Sequence, residues 1–291
     1  MQAFHNDLAI KKKYLERVCF HQKQDNLIRG IGWSNGKGCA IGCTLENYNH
    51  KQYEIELGIP EWLARVEDIL FENMTLEKSK TWPEQFLFAI PTGAILEKIK
   101  IPFIIIILIS TLMSLNTIAI DKNKFPNISS SIELSKNSIN QMIEAHLCAC
   151  QSKLKAAQIL AEKTRAAARE AFRMGEWAAL RTPYGGEWLT TLSLWSLLTE
   201  KMALAAEWAI AAWEMAAGDT AAWMEWSIPT EAEAWAQAVE CAAGVAATLA
   251  AERAAGERPA AQEGRKLRQA TKEAKYDYFA DELLLLLKNA K

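Results

Sequence analysis

Apolar positions recur at helical intervals along most of the chain, and their setting changes near residue 125. Upstream, the apolar stripes are short and end at glycine or proline. Asn6-Asp7 can cap a helix running to about Asn26, with Leu8, Tyr14, Leu15, Val18 and Cys19 on one face. His50 to Leu57 reads as a helical turn stopped by Gly58, and Pro60 suits the first turn of a helix over 61–74 that aligns Leu63, Val66, Leu70 and Phe71. Trp82-Pro83 begins another short helix. It must stop before Pro91, because the residue preceding a proline is pushed out of the α region.

Residues 101–120 carry no charge over 20 positions, long enough for a membrane span. Burial inside the protein is the preferred reading. The strongly apolar part ends at Ile109, and Ser110, Thr111, Ser114, Asn116 and Thr117 make the remainder semi-polar. No interfacial tyrosine or tryptophan flanks it.

Downstream, the polar stretch 121–135, with Pro126 and a serine run, reads as a linker. A single long helix is expected over 136–174, with Leu147, Cys150, Leu154, Ala157, Ala161, Thr164 and Ala168 at the spacing of a helix–helix seam. Thr182 to Gly186 is a break. Further helices are expected over 187–217, from Thr230 to about Arg253, and from beyond Pro259 to about Lys288, the last ending in the leucines 283–287. Alanine dominates this half, has the best helix propensity and admits close approach of partner helices. Ala206 to Gly218 matches Ala232 to Gly244 at seven of 13 positions, a hint of stacked helices. Most of the 11 tryptophans, including Trp188, Trp195, Trp208, Trp213, Trp223, Trp226 and Trp235, fall among these alanines, where indoles fill gaps between rods.

The chain of 291 residues is half hydrophobic and 23% charged, a globular balance. A net charge of −2 supplies no basic field for nucleic acid. Six cysteines are too few for a disulfide framework at this length, and residues 1–13 lack the apolar core of a secretory signal. A cytoplasmic protein with reduced thiols is expected.

Chemistry concentrates around the glycine-rich loop 30–44. A phosphate cradle is disfavoured because Gly36-Lys37 is followed by Gly38 and not by serine or threonine. Cys39 and Cys43 lie four apart, so a helix opened at Gly38 would put both thiols on one face and lower the pKa of the first. His50 could act as base, oriented by Glu54 one turn later. Catalytic candidates are therefore Cys39, Cys43, His50 and Glu54. Metal binding by Cys39, Cys43 and His50 lacks an obvious fourth ligand, so no metal or cofactor is assigned. The plain alternative is two buried thiols and a hydrogen-bonded histidine. His146 with Cys148 and Cys150 is a second group, read as seam packing. Glu67, Asp68 and Glu72 read as a solvated face with no complementary base.

Gly38-Cys39-Ala40-Ile41-Gly42-Cys43, Asn49-His50 with Tyr53-Glu54, Leu57-Gly58-Ile59-Pro60, Glu67-Asp68 with Phe71-Glu72, and Trp82-Pro83 through Gly93-Ala94 together resemble an uncharacterised family of bacterial and prophage-encoded proteins. The resemblance covers about the first 110 residues. It implies an alanine-rich C-terminal half and a soluble protein, and it supplies no activity.

The expectation is an all-α protein in which an irregular short-helix region over 1–120 is followed, after the linker 121–135, by packed Ala/Trp-rich helices over 136–291. Function is expected either from binding a protein partner or a second copy, or from a cysteine-dependent or metal-binding site at Cys39, Cys43 and His50.

Overall fold

The computed structural model describes residues 1–116, 126–151, 230–255 and 262–291, with Asn123, Lys153 and further positions between 155 and 173. Among them the chain is all-α apart from one two-stranded hairpin. The elements are α1 (Leu8–Lys23), β1 (Trp33–Ser34), β2 (Lys37–Gly38), α2 (Ala40–Leu45), α3 (His50–Leu57), α4 (Glu61–Asn73), α5 (Leu76–Ser79), α6 (Trp82–Ala89), α7 (Lys100–Asn116), α8 (Pro126–Cys150), α9 (Glu231–Ala255) and α10 (Gln262–Lys288). The chain divides into two units, Met1–Phe103 with Ala270–Lys291, and Ile104–Gln269.

In the first unit local chemistry sets most boundaries. The Asp7 carboxylate accepts from Ala9 N–H at 2.7 Å and Asn49 Oδ1 from Lys51 N–H at 3.1 Å, so α1 and α3 both begin on side-chain caps. Gly58, at φ 62°, ends α3 in the left-handed turn that glycine adopts without a Cβ penalty. Asn35 and Gly36, both at positive φ, join β1 to β2, with Trp33 opposite Gly38. This is the Asn-Gly hairpin signature.

Helix α4 is the centre of this unit and packs on α2, α3 and α6. Its stripe Leu63, Val66, Leu70 and Phe71 is fully buried, as are Tyr53, Leu57, Trp82 and Phe86. The C-terminal residues 270–291 belong here: Phe279, Leu283 and Leu287 of α10 are fully buried, and Lys291 C=O accepts from Ile95 N–H at 3.3 Å. The composition boundary near residue 125 is therefore not the division between units. The apolar face of α10 buries itself with the N-terminal residues although its sequence resembles the second half.

In the second unit the expected single helix over 136–174 is replaced by a hairpin. Helix α8 starts at Pro126, inside the expected linker, and ends at Cys150. The chain turns at Gln151, and helical positions follow between 155 and 173. Ser131 Oγ donates to Ala171 C=O at 2.8 Å and Ser138 Oγ to Thr164 C=O at 3.2 Å, pairs whose spacing requires an antiparallel return. Ser131, read as a linker residue, thus joins two helices together with Ser138. Leu147, an expected seam residue, is exposed, while Ala157 and Thr164 are buried.

Thr230 caps α9 reciprocally with Glu233: its N–H donates to Glu233 Oε2 at 2.8 Å and its Oγ1 accepts from Glu233 N–H at 3.2 Å. The alanines at 234, 238, 242, 246 and 251 are fully buried, as close helix packing demands. Residues 96–116 and 231–251 are each long and apolar enough to cross a membrane; their 18-residue windows have mean hydropathies of 2.0 and 1.2, and more than half of each window is buried within the protein. In α7 the hydroxyls satisfy themselves: Thr111 donates to Ile107 C=O at 2.9 Å and Ser114 to Ser110 C=O at 3.0 Å. The expected helix over 187–217, the break at 182–186, the first copy of the repeat and all the named tryptophans except Trp235 lie outside the described residues.

Candidate metal centre

Asp68 sits at the middle of the polar cluster of the first unit. It lies on α4 one turn before Glu72, so the two carboxylates share a face. Tyr48 Oη donates to Asp68 Oδ2 at 2.9 Å, and His50 Nε2 lies 3.1 Å from the same oxygen. An ionised carboxylate only accepts, so Nε2 carries the proton in that bond. The other oxygen, Oδ1, is buried and has no hydrogen-bond partner among the described residues. Cys39 Sγ, an Asp68 oxygen and a Glu72 oxygen all lie within 4.8 Å of one another.

Three local structures bring these groups together. Cys39 occupies the N-cap of α2, its N–H donating to Ile31 C=O at 2.7 Å. His50 is the first residue of α3, directly after its cap Asn49. The glycine loop is held on α4 by Gly30 N–H, which donates to Glu72 at 2.6 Å. Three of its glycines are steric necessities, and at Gly38 a Cβ would stand 2.3 Å from Gly32 C=O. A Cβ at Gly42 would stand 1.8 Å from Gly32 C=O, and one at Gly32 would strike the Tyr48 ring at 2.6 Å. The loop therefore needs glycine to lie against α2 and to seat Tyr48 over Asp68, and this accounts for Gly32, Gly38 and Gly42 without a phosphate ligand.

The electrostatics run against the sequence expectation for the thiols. Burial, and then the Asp68 charge, push the Cys39 thiol well up, and burial pushes Cys43 up to about 12. The start of the six-residue α2 does not offset these effects, so neither thiol is an activated nucleophile in this state. The Asp68 charge also helps to raise Tyr48 and Glu72, secondary in both to burial. Three acidic groups, Cys39, Tyr48 and Glu72, each raised in part by the Asp68 charge beside an unpartnered oxygen, form a pocket of excess negative potential. A divalent cation would reverse that balance.

Of the four expected site residues, two meet here. Cys39 and His50 converge through Asp68. Cys43 points away, its Sγ within 3.4 Å of Gly38 C=O and 3.5 Å of Asn26 C=O. Glu54 does not orient His50; its carboxylate accepts from Glu61 N–H at 3.2 Å, at the start of α4. Asp68 performs the role expected of Glu54.

The reading of Glu67, Asp68 and Glu72 as a solvated face is also corrected: Glu67 is 0% exposed and Asp68 8%. The sequence does hold the signal. Glu67 is four residues from both Leu63 and Phe71, inside the apolar stripe, which commits α4 to burying acids. Tyr48, Asp68 and Glu72 are the residues that sequence reasoning missed.

His146, in the second unit, is 1% exposed, with neither ring nitrogen hydrogen-bonded among the described residues and its ring 5.8 Å from that of Trp235. Burial depresses its pKa to about 4.

The chain matches no family model, no curated protein and no solved structure.

Proposed function

We propose that the first unit is a metal-binding helical domain in which Cys39, Asp68 and Glu72 hold a divalent transition metal. The observation that carries this reading is the convergence of a thiol and two carboxylates within 4.8 Å, with Asp68 Oδ1 buried and unpartnered. One thiolate with carboxylate oxygens suits a borderline ion such as Zn²⁺, and tetrahedral bonds of about 2.0–2.3 Å put donors roughly 3.3–3.8 Å apart, so closing the present spacing takes about 1 Å of movement. Asp68 divides its labour: Oδ1 faces the ion, while Oδ2 stays bonded to Tyr48 and His50. Such outer partners orient a ligating carboxylate. Three protein ligands leave a fourth position for water or substrate beside His50, the pattern of a reactive rather than a purely structural site.

Metal-free protein titrated with Co²⁺ tests this. One equivalent should bind and give a thiolate-to-cobalt absorption band. Cys39→Ser should remove the band and Asp68→Asn the binding, while Cys43→Ser and Glu54→Gln should bind normally. Failure of the wild-type chain to bind Co²⁺ or Zn²⁺, or full binding by Asp68→Asn, refutes the reading.

The second unit favours an interaction role. Its α9 carries a row of fully buried alanines, the close-packing material of an assembly scaffold. A protein partner or a second copy of the chain is the expected ligand of this unit, in a cytoplasmic setting. Sedimentation of the intact chain tests for self-association.

A further inference from the structure

Helix α1 carries two apolar faces, and only one of them is used by the fold. Tyr14, Val18 and His21 point into the first unit. Leu8, Leu15, Cys19 and Phe20 line a groove of about 630 Å³ along the other side, closed by Phe88 of α6. The apolar lining is strongly exposed: Leu8 70%, Phe20 57% and Phe88 70%. Lone surface apolar residues need no explanation, but three of this size along one recess mark a docking surface.

The groove wall is fixed in advance. Lys11 Nζ donates to Phe88 C=O at 2.9 Å and to Ile90 C=O at 2.6 Å, and it stands over the Phe4 and Phe88 rings at 5.5 and 5.6 Å. This clamp ties the end of α6 to α1 and holds Phe88 at the rim. Charge on the lining is net positive: Lys11, Lys12 and Lys23 against Glu16, which pairs with Lys12 at 3.8 Å in an exposed ion pair that a partner's carboxylate can replace. The whole of α1 carries five lysines and arginines against one glutamate.

We infer that this groove receives an acidic amphipathic helix of a partner protein. Leu8 to Lys23 spans roughly 22 Å at 1.5 Å per residue, room for about four turns of helix laid beside α1. A row of apolar side chains at helical spacing fills the recess. Asp and Glu on its flanks meet Lys12 and Lys23, and a basic helix of the same apolar pattern is rejected by them. A flat anionic lipid surface fits less well, because the apolar side chains line a recess and do not crown a ridge. This inference is independent of the metal site.

Selection of a displayed library of 16-residue helical peptides against the full-length chain tests it. Enriched peptides should share apolar residues at helical spacing flanked by Asp or Glu. Synthetic versions should bind with affinity reduced about tenfold or more by Phe88→Asp, by Phe20→Asp, by the pair Lys12→Glu and Lys23→Glu, and by exchanging the peptide's acids for lysine. All these sites are exposed, and circular dichroism confirms that each variant is folded; Phe20→Ser replaces any aspartate variant that is not. No enrichment, enrichment of basic peptides, or equal binding to the Phe88 and Phe20 variants overturns the inference. So does binding of the chain to phosphatidylserine vesicles that the Phe88 variant loses while peptide binding is absent.

Discussion

Asp277 and Thr75 lie 202 positions apart, yet the Asp277 carboxylate takes both the Thr75 N–H, at 3.0 Å, and the Thr75 hydroxyl, at 2.8 Å. The start of α5 is thus closed by a side chain from α10, and Lys78 Nζ adds bonds to Asp277 C=O at 2.8 Å and to Asp281 at 2.6 Å. Charge-assisted caps of this kind contribute about 1–2 kcal/mol. Asp277→Ala should lower the urea-unfolding free energy by that amount. Deleting residues 270–291 should cost far more, since it also strips Phe279, Leu283 and Leu287 from the core. A chain ending at 269 that keeps wild-type stability would mean that α10 is dispensable.

Glu67 is buried beside Tyr53, and burial raises both groups well above their ordinary pKa values. The folded state therefore holds the Glu67 proton where the unfolded chain has released it. Its contribution to stability is complete below the ordinary carboxyl pKa and is lost as pH rises toward the raised folded value, with a slope of up to about 1.4 kcal/mol per pH unit. Glu67→Gln keeps the neutral form at every pH and should flatten this dependence. Urea midpoints from pH 5 to pH 8 for both proteins provide the measurement, and parallel curves would exclude the assignment.

The glycines of the loop should separate into two classes. Gly42→Ala puts a methyl group against Gly32 C=O, where the Cβ alone would stand at 1.8 Å. It should cost at least about 3 kcal/mol or prevent folding. Gly36 has open space around it and only a positive φ of 76° to satisfy, so Gly36→Ala should cost about 1 kcal/mol. Chemical denaturation of the two variants distinguishes a steric requirement from a conformational one.

His146 gives the second unit acid sensitivity. Its pKa is depressed to about 4 by burial, so the unfolded chain binds a proton that the folded chain refuses. Stability is full above the ordinary histidine pKa and is lost as pH falls from about 6.5 to 4, by up to about 3 kcal/mol. His146→Leu should remove that loss. Thermal unfolding of the two chains between pH 7 and pH 4.5 tests it; an unchanged acid slope would show that other groups carry the effect.

The sequence by itself determined the elements wherever a local signal closes them: the caps at Asp7, Asn49 and Thr230, the stop at Gly58, the buried stripe of α4 and the end of α10 near Lys288. These depend on interactions within about four residues, which spacing encodes. It also holds the Asn35-Gly36 hairpin signal and the acid at Glu67 within the apolar stripe of α4. Only the tertiary structure decided that Ala270–Lys291 joins the N-terminal unit, that the chain turns back after α8 ends at Cys150, and that His50 meets Asp68 and not Glu54. Each of these follows from which apolar faces bury one another across long stretches of chain. A helix's own periodicity says which face is apolar, but it carries no record of the partner that covers it.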